Sequence, residues 1–328
     1  MKRPAALALG VISLFATTIP AASASAATPV VVNADYADLS GEYPMGITLD
    51  AKGNVYTANY YSTVSKITAS GQVTAQWATV PGSTRNYYVL ADSARNVYVS
   101  SYDTGTVSKF SKSGAHLADY SVGTHPGSMV LATDGSVRVA LYQTDQYAHG
   151  YVASISSQGA VNQTWKSLPR GFQPWAMTSM KSGGLFLSEY ATGNLYGILK
   201  HSKGFYGAGV LYATAYYVTR GPDGSFYVAN SAQDSITKFS PATNTLTAEW
   251  AVLPNGAGPM EMAFDKSGNL YVACSGTDRV AKITSSGGIE ADWAVLPTGS
   301  NPWGLAMTSK HSMVVSEYLG MKLAKITF

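Results

Sequence analysis

From about residue 30 to the C-terminus the chain is a succession of short apolar-alternating runs separated by Gly, Asn, Asp and Ser. That period of two between turn residues predicts strands joined by tight connections. The first unit reads Gly46-Ile-Thr-Leu-Asp-Ala-Lys-Gly-Asn-Val-Tyr-Thr-Ala-Asn59. Equivalent stretches end at Ser101, Leu141, Glu189, Asn230, Cys274 and Glu317, a spacing of 40 to 48 residues. Each is a hairpin, because Lys52-Gly53-Asn54, Asp223-Gly224-Ser225 and Ser267-Gly268-Asn269 stand where the reversal needs φ > 0.

Two more strands follow each hairpin. A third is marked by Val64-Ser-Lys-Ile67, Val107-Ser-Lys-Phe110, Ile236-Thr-Lys-Phe239 and Val280-Ala-Lys-Ile283. A fourth carries an aromatic residue: Trp77, Tyr120, Trp165, Tyr206, Trp250 or Trp293. Four short strands per repeat of this length, seven times over, predict an all-β fold, a seven-bladed β-propeller with four-stranded blades. The seventh unit ends after its third strand, Leu323-Ala-Lys-Ile326. Its missing strand is expected in Val30 to Ala37, around Tyr36, so that the N-terminal strand joins the C-terminal blade and closes the ring. Unit four is irregular from Leu195 to Tyr206, and unit three carries an insertion around Thr144 to Gly150.

The first 26 residues read as a secretory signal peptide. Lys2 and Arg3 precede an apolar run from Ala5 to Ile19, and Ala22-Ser-Ala-Ser-Ala26 offers small-residue cleavage sites. That run is too short to span a bilayer, and no later stretch is long enough. Residues 27–328 then form one domain, expected to be a secreted monomer. Without Lys2 and Arg3 the formal charge falls from +3 to +1, and charged residues are 12 % of the chain. No basic run remains to engage nucleic acid. The single Cys274 excludes an intramolecular disulfide and lies in an apolar strand, as a buried thiol would.

The Pro-x-Gly-Ile/Leu starts and the Gly-Asn-Val/Leu-Tyr hairpins resemble NHL-repeat propellers, and more closely the streptogramin (virginiamycin) B lyase group, over nearly all of residues 30–328. That resemblance implies a His just after the Pro of one blade start, a Glu about fourteen residues on, and an assisting magnesium ion. The His position holds Met45, Tyr87, Gly127, Trp175, Tyr216, Met260 and Trp303, never His. The Glu position holds Glu189 and Glu317. An indole cannot remove a proton, so the resemblance supplies half of an acid–base pair. Gluconolactonase-like propellers are similar more loosely; they imply a divalent ion, with Asn59, Asn230, Glu189 and Glu317 as available oxygen ligands.

Propeller geometry brings the starts of the first strands and the ends of the second to one mouth of the central channel. The candidate ligand-binding residues there are Trp175, Trp303, Tyr87, Tyr216, Asn59, Asn230, Tyr190 and Tyr318, with Glu189 and Glu317 as candidate catalytic groups. Aromatic faces with sparse polar groups suit a ring-shaped ligand. Trp77, Trp165, Trp250 and Trp293 are expected between blades. His125, before Pro126, is the one His placed near the mouth; His149, His201 and His311 read as turn residues and His116 opens a strand. Gly207-Ala-Gly209 lacks the third Gly of a dinucleotide loop, with Tyr212 in its place. Three readings follow: a binding module for a small molecule, glycan or protein; a lyase or lactonase-type enzyme using Glu189 or Glu317 with a divalent cation (Mg or Ca); or a plain interaction propeller.

Overall fold

The computed structural model describes residues 29–142, 149–190, 193–198, 205–207 (backbone only) and 214–328. The first 26 residues, expected as a signal peptide, lie outside the described residues, as do most of the unit-three insertion, His201, residues 208–212 and the Tyr206 side chain. Seven separate four-stranded antiparallel sheets account for the strands. Their innermost strands are Pro44–Leu49, Asn86–Ala91, Pro126–Leu131, Pro174–Ser179, Ala215–Arg220, Pro259–Phe264 and Pro302–Ser309, in blades 1 to 7. Each innermost strand packs against the next, and that of blade 7 packs against that of blade 1. The architecture is a closed seven-bladed propeller.

The hairpin turns repeat a side-chain device. In blade 1 Asp50 accepts the Lys52 and Asn54 backbone N–H groups, the Asn54 amide and the Tyr56 hydroxyl. Asp265 does the same in blade 6 with Ser267, Asn269 and Tyr271. The carboxylate caps the turn and anchors the second strand's Tyr in one move. Third-strand lysines lie over these rings: Lys66 over Tyr56 and Trp77, Lys238 over Tyr227 and Trp250. Trp77, Trp250 and Trp293 pack against the second-strand Tyr56, Tyr227 and Tyr271 of their own blades, and Trp77 also approaches Phe110 of blade 2. Trp165 packs on the cluster shared by blades 3 and 4. His149 opens the third strand of blade 3 rather than sitting in a turn, its ring bonded to the Leu168 carbonyl at 2.9 Å.

Val31–Asp38 supplies the outer strand of blade 7, pairing antiparallel with Lys322–Thr327. Ala37 and Leu39 are sealed in a cluster with Ile47, Val55 and Ile67 of blade 1 and Val314 and Leu323 of blade 7. Cys274 is buried, and burial pushes its thiol pKa up to about 12. A thiol held protonated and away from solvent reacts slowly. The native protein is therefore expected to leave a disulfide reagent such as DTNB unreacted at pH 8 and to titrate one thiol once unfolded in guanidinium; rapid native reaction would contradict this burial.

Candidate functional site

At the mouth face the aromatic residues form a closed circuit. Tyr60 meets Tyr87 at 5.9 Å between ring centroids, and Tyr87 meets Trp175 at 5.6 Å. Trp175 meets Tyr216 at 6.1 Å, and Tyr216 meets Trp303 at 5.9 Å. Trp303 reaches Tyr318 at 6.3 Å, and Tyr318 returns to Tyr60 at 6.0 Å. Most of these contacts are edge-to-face, the geometry the ring quadrupoles favour. The circuit crosses blades 1, 2, 4, 5 and 7. Tyr87 and Trp175 meet although blade 3 stands between theirs, because blade 3 contributes Gly127 at that position. A Cβ there would lie 3.1 Å from the Trp175 carbonyl.

An outer tier braces this circuit. Tyr190 contacts both Trp175 and Tyr216, its hydroxyl 3.4 Å from that of Tyr216. Tyr102 and Tyr142 pack behind Tyr87 and Trp175 respectively. His125 stacks on Tyr102 at 4.3 Å, on the periphery of the mouth. Burial raises the pKa of Tyr87 and of Tyr216, so both phenols stay neutral donors at physiological pH. The six predicted aromatic residues, Tyr87, Trp175, Tyr190, Tyr216, Trp303 and Tyr318, are thus one connected surface.

The four predicted polar residues are buried at the ends of the second strands, opposite the first residues of the innermost strands. Asn59 is fully buried and donates to Thr63 and Ser65, both at 2.8 Å. Asn230 likewise donates to Ser235 and Thr237. Glu189, 1 % exposed, accepts the Asn194 amide at 2.8 Å and the Gln173 backbone N–H at 3.4 Å. Glu317, also 1 % exposed, accepts the Ser300 hydroxyl at 2.9 Å, and burial raises its carboxyl pKa. Each side chain ends the second strand of its blade; the two Asn side chains bond the third strand, and the two Glu side chains bond adjoining loops. Among the described residues no three His, Cys, Asp or Glu side chains converge as a metal-holding group. Both Glu189 oxygens accept from neutral donors, whereas Glu317 Oε1, Asn59 Oδ1 and Asn230 Oδ1 are buried without a hydrogen-bond partner among the described residues.

Sequence reasoning missed the residues beside the circuit. The third residues of four innermost strands, Gly46, Tyr88, Tyr217 and Glu261, line one small cavity with Tyr216 and Trp303, and the third residues of the other three, Ser128, Ala176 and Gly304, are small. The Tyr217 hydroxyl donates to Glu261 Oε1 at 2.8 Å, and the Leu305 backbone N–H to Oε2 at 3.3 Å. The available signal was a lone carboxylate in the apolar strand Pro259-Met-Glu-Met-Ala-Phe264.

No protein-family model matches the sequence, and no curated protein matches it. Solved structures do match its fold. A streptogramin B lyase superposes with a TM-score of 0.77 at 17 % identity, covering 91 % of this chain and 97 % of the other. A catalytically inactive variant of virginiamycin B lyase from Staphylococcus aureus, solved with quinupristin, gives a TM-score of 0.77 at 15 % identity, covering 91 % and 99 %. Hydrazine synthase of Kuenenia stuttgartiensis gives 0.71 at 16 % identity, covering 88 % and 96 %. At these identities the likeness establishes a virginiamycin B lyase-like β-propeller fold.

Proposed function

We propose that this chain is a secreted, monomeric binding module that holds a small molecule or glycan at the aromatic mouth of its propeller without transforming it. The closed circuit from Tyr60 through Trp175 and Trp303 to Tyr318 carries this reading. Rings held by their neighbours present large apolar area with little side-chain entropy left to lose on binding. Support for a small-molecule ligand also comes from the S. aureus lyase, a propeller of the same fold solved with quinupristin. The enzymatic alternative stands second because Glu189 and Glu317 are buried and hydrogen-bonded to adjoining loops and the second residue of each innermost strand is never His. Export is supported by the basic, apolar and small-residue order of the first 26 residues; N-terminal mass analysis of the protein from culture medium tests it.

Calorimetric titration against cell-wall fragments, oligosaccharides and aromatic heterocycles tests the mouth. Trp303→Ala and Trp175→Ala are each expected to weaken the ligand found by tenfold or more, as removal of a central aromatic contact does. Unchanged affinity in both variants would move the binding site away from the mouth.

A further inference from the structure

Beside the aromatic circuit lies a small, partly open cavity with about 10 Å³ of room for a water-sized centre, lined by Gly46, Tyr88, Tyr216, Tyr217, Met260, Glu261 and Trp303. Four aromatic rings, one thioether and one carboxylate thus surround a space that one water molecule or one compact ion fills. The glycines make this possible. A Cβ on Gly304 would stand 3.1 Å from Glu261 Oε2 and 2.5 Å from the Met45 carbonyl, and one on Gly46 would stand 2.7 Å from the Tyr87 carbonyl. Tyr216 and Trp303 belong to both the cavity and the mouth, so the two spaces share walls.

The chemistry of this cavity is one-sided. Glu261 receives two hydrogen bonds from neutral donors, and no Lys, Arg or His bears on its charge. The titratable groups facing it are the Tyr217 and Tyr216 phenols from blade 5 and the Tyr88 phenol from blade 2; blades 1 and 7 present none. A carboxylate without a counter-charge, walled by aromatic faces, matches the requirements of an ammonium ion: a negative partner, π faces and acceptor oxygens. The size of the cavity selects a primary ammonium head over a quaternary one.

We propose that this chamber seats a primary ammonium group, so that the ligand of the mouth is an amine whose apolar body lies on Tyr216 and Trp303. The inference rests on the mouth being the ligand site, and adds the chemical class. Burial raises the Glu261 pKa to about 8, so seating a cation displaces a proton from it at neutral pH. Affinity therefore climbs with pH until the amine itself deprotonates, at about 10.

The probes are 2-phenylethylammonium chloride and its neutral counterpart 2-phenylethanol, titrated into the mature chain with tryptophan fluorescence as readout. The amine is expected to bind at least tenfold more tightly at pH 8.5 than at pH 6, and the alcohol equally at both. Glu261→Gln should weaken the amine at least tenfold at pH 8.5, abolish its pH dependence and leave the alcohol unchanged. In wild-type protein labelled with ¹³C at the glutamate carboxyl, the amine should lower the Glu261 pKa. Equal binding of amine and alcohol, both lost in Trp303→Ala and neither altered by Glu261→Gln, would overturn the ammonium seat while leaving the mouth as the ligand site. A Glu261 titration unmoved by 20 mM amine would overturn it also, identifying the cavity as the seat of a water alone; the ligand panel above would still judge the mouth.

Discussion

Removal of residues 29–40 is expected to abolish cooperative folding of the propeller. Those residues provide the outer strand of blade 7, which pairs with Lys322–Thr327 from Val31 to Asp38. They also bring Ala37 and Leu39, both within 1 % of complete burial, into the seam between blades 7 and 1. Emptying the Leu39 site alone costs about 2–5 kcal/mol. Loss of the strand's ladder and of Tyr36, under Lys325, adds to that, against a net stability of about 5–15 kcal/mol for a typical domain. The Lys322–Asp35 ion pair contributes little, since Asp35 is largely exposed. Truncation further leaves Lys322–Thr327 as a bare edge, open to pairing with other chains. Thermal unfolding followed by circular dichroism and light scattering should show a broad or absent transition with aggregation, and a peptide of residues 29–40 should restore solubility in trans. A truncated chain melting at the wild-type temperature would refute ring closure by this strand.

Glu261→Gln is expected to stabilise the protein at pH 8 and to leave it nearly unchanged at pH 4. The folded carboxyl titrates at about 8, against 4.5 for an unhindered glutamate. Between those values the folded chain keeps a proton that the unfolded chain releases. Wild-type stability therefore falls as pH rises through this window, and burial is the cause. At about 1.36 kcal/mol per pKa unit, the gain is at most about 4 kcal/mol at pH 8. Glutamine keeps the shape and can accept the Leu305 N–H while donating to the Tyr217 oxygen. Glu317, also raised, acts in the same direction, so the difference between wild type and variant isolates Glu261. Asp50, Asp103, Asp134 and Asp223 are lowered and act only in acid. Urea unfolding at both pH values reads the effect; equal midpoints for the two proteins at pH 8 would show that Glu261 ionises without penalty.

The blade repeat was legible because it is written locally. Alternation marks each strand, Gly53, Gly224 and Gly268 take the left-handed turn positions, and Trp77, Trp250 and Trp293 recur at the fourth strand. Ring closure was legible because Lys322–Thr327 ends the chain without a fourth partner while Val31–Asp38 starts it without a first. Cys274 was legible as a buried strand residue for the same reason.

The channel interior was not legible, and the reason is a bulge. All seven innermost strands shift register against their hairpin partners near their first residues, as between Pro259 and Met262 or Asn86 and Val89. A bulge breaks the period of two and turns consecutive residues toward one side. Tyr87 with Tyr88, and Tyr216 with Tyr217, therefore both reach the channel, where strict alternation would send one of each pair outward. The ends of the second strands are buried: Asn59, Glu189, Asn230 and Glu317 have close polar partners nearby, which their sequence positions did not show. The sequence by itself determined a ring of seven blades and the strand that closes it, because those features depend on residue order along single strands. Only the tertiary structure decided what the mouth contains, because six rings from five blades meet there, beside the carboxylate of a sixth, through the bulges and glycines that let them approach.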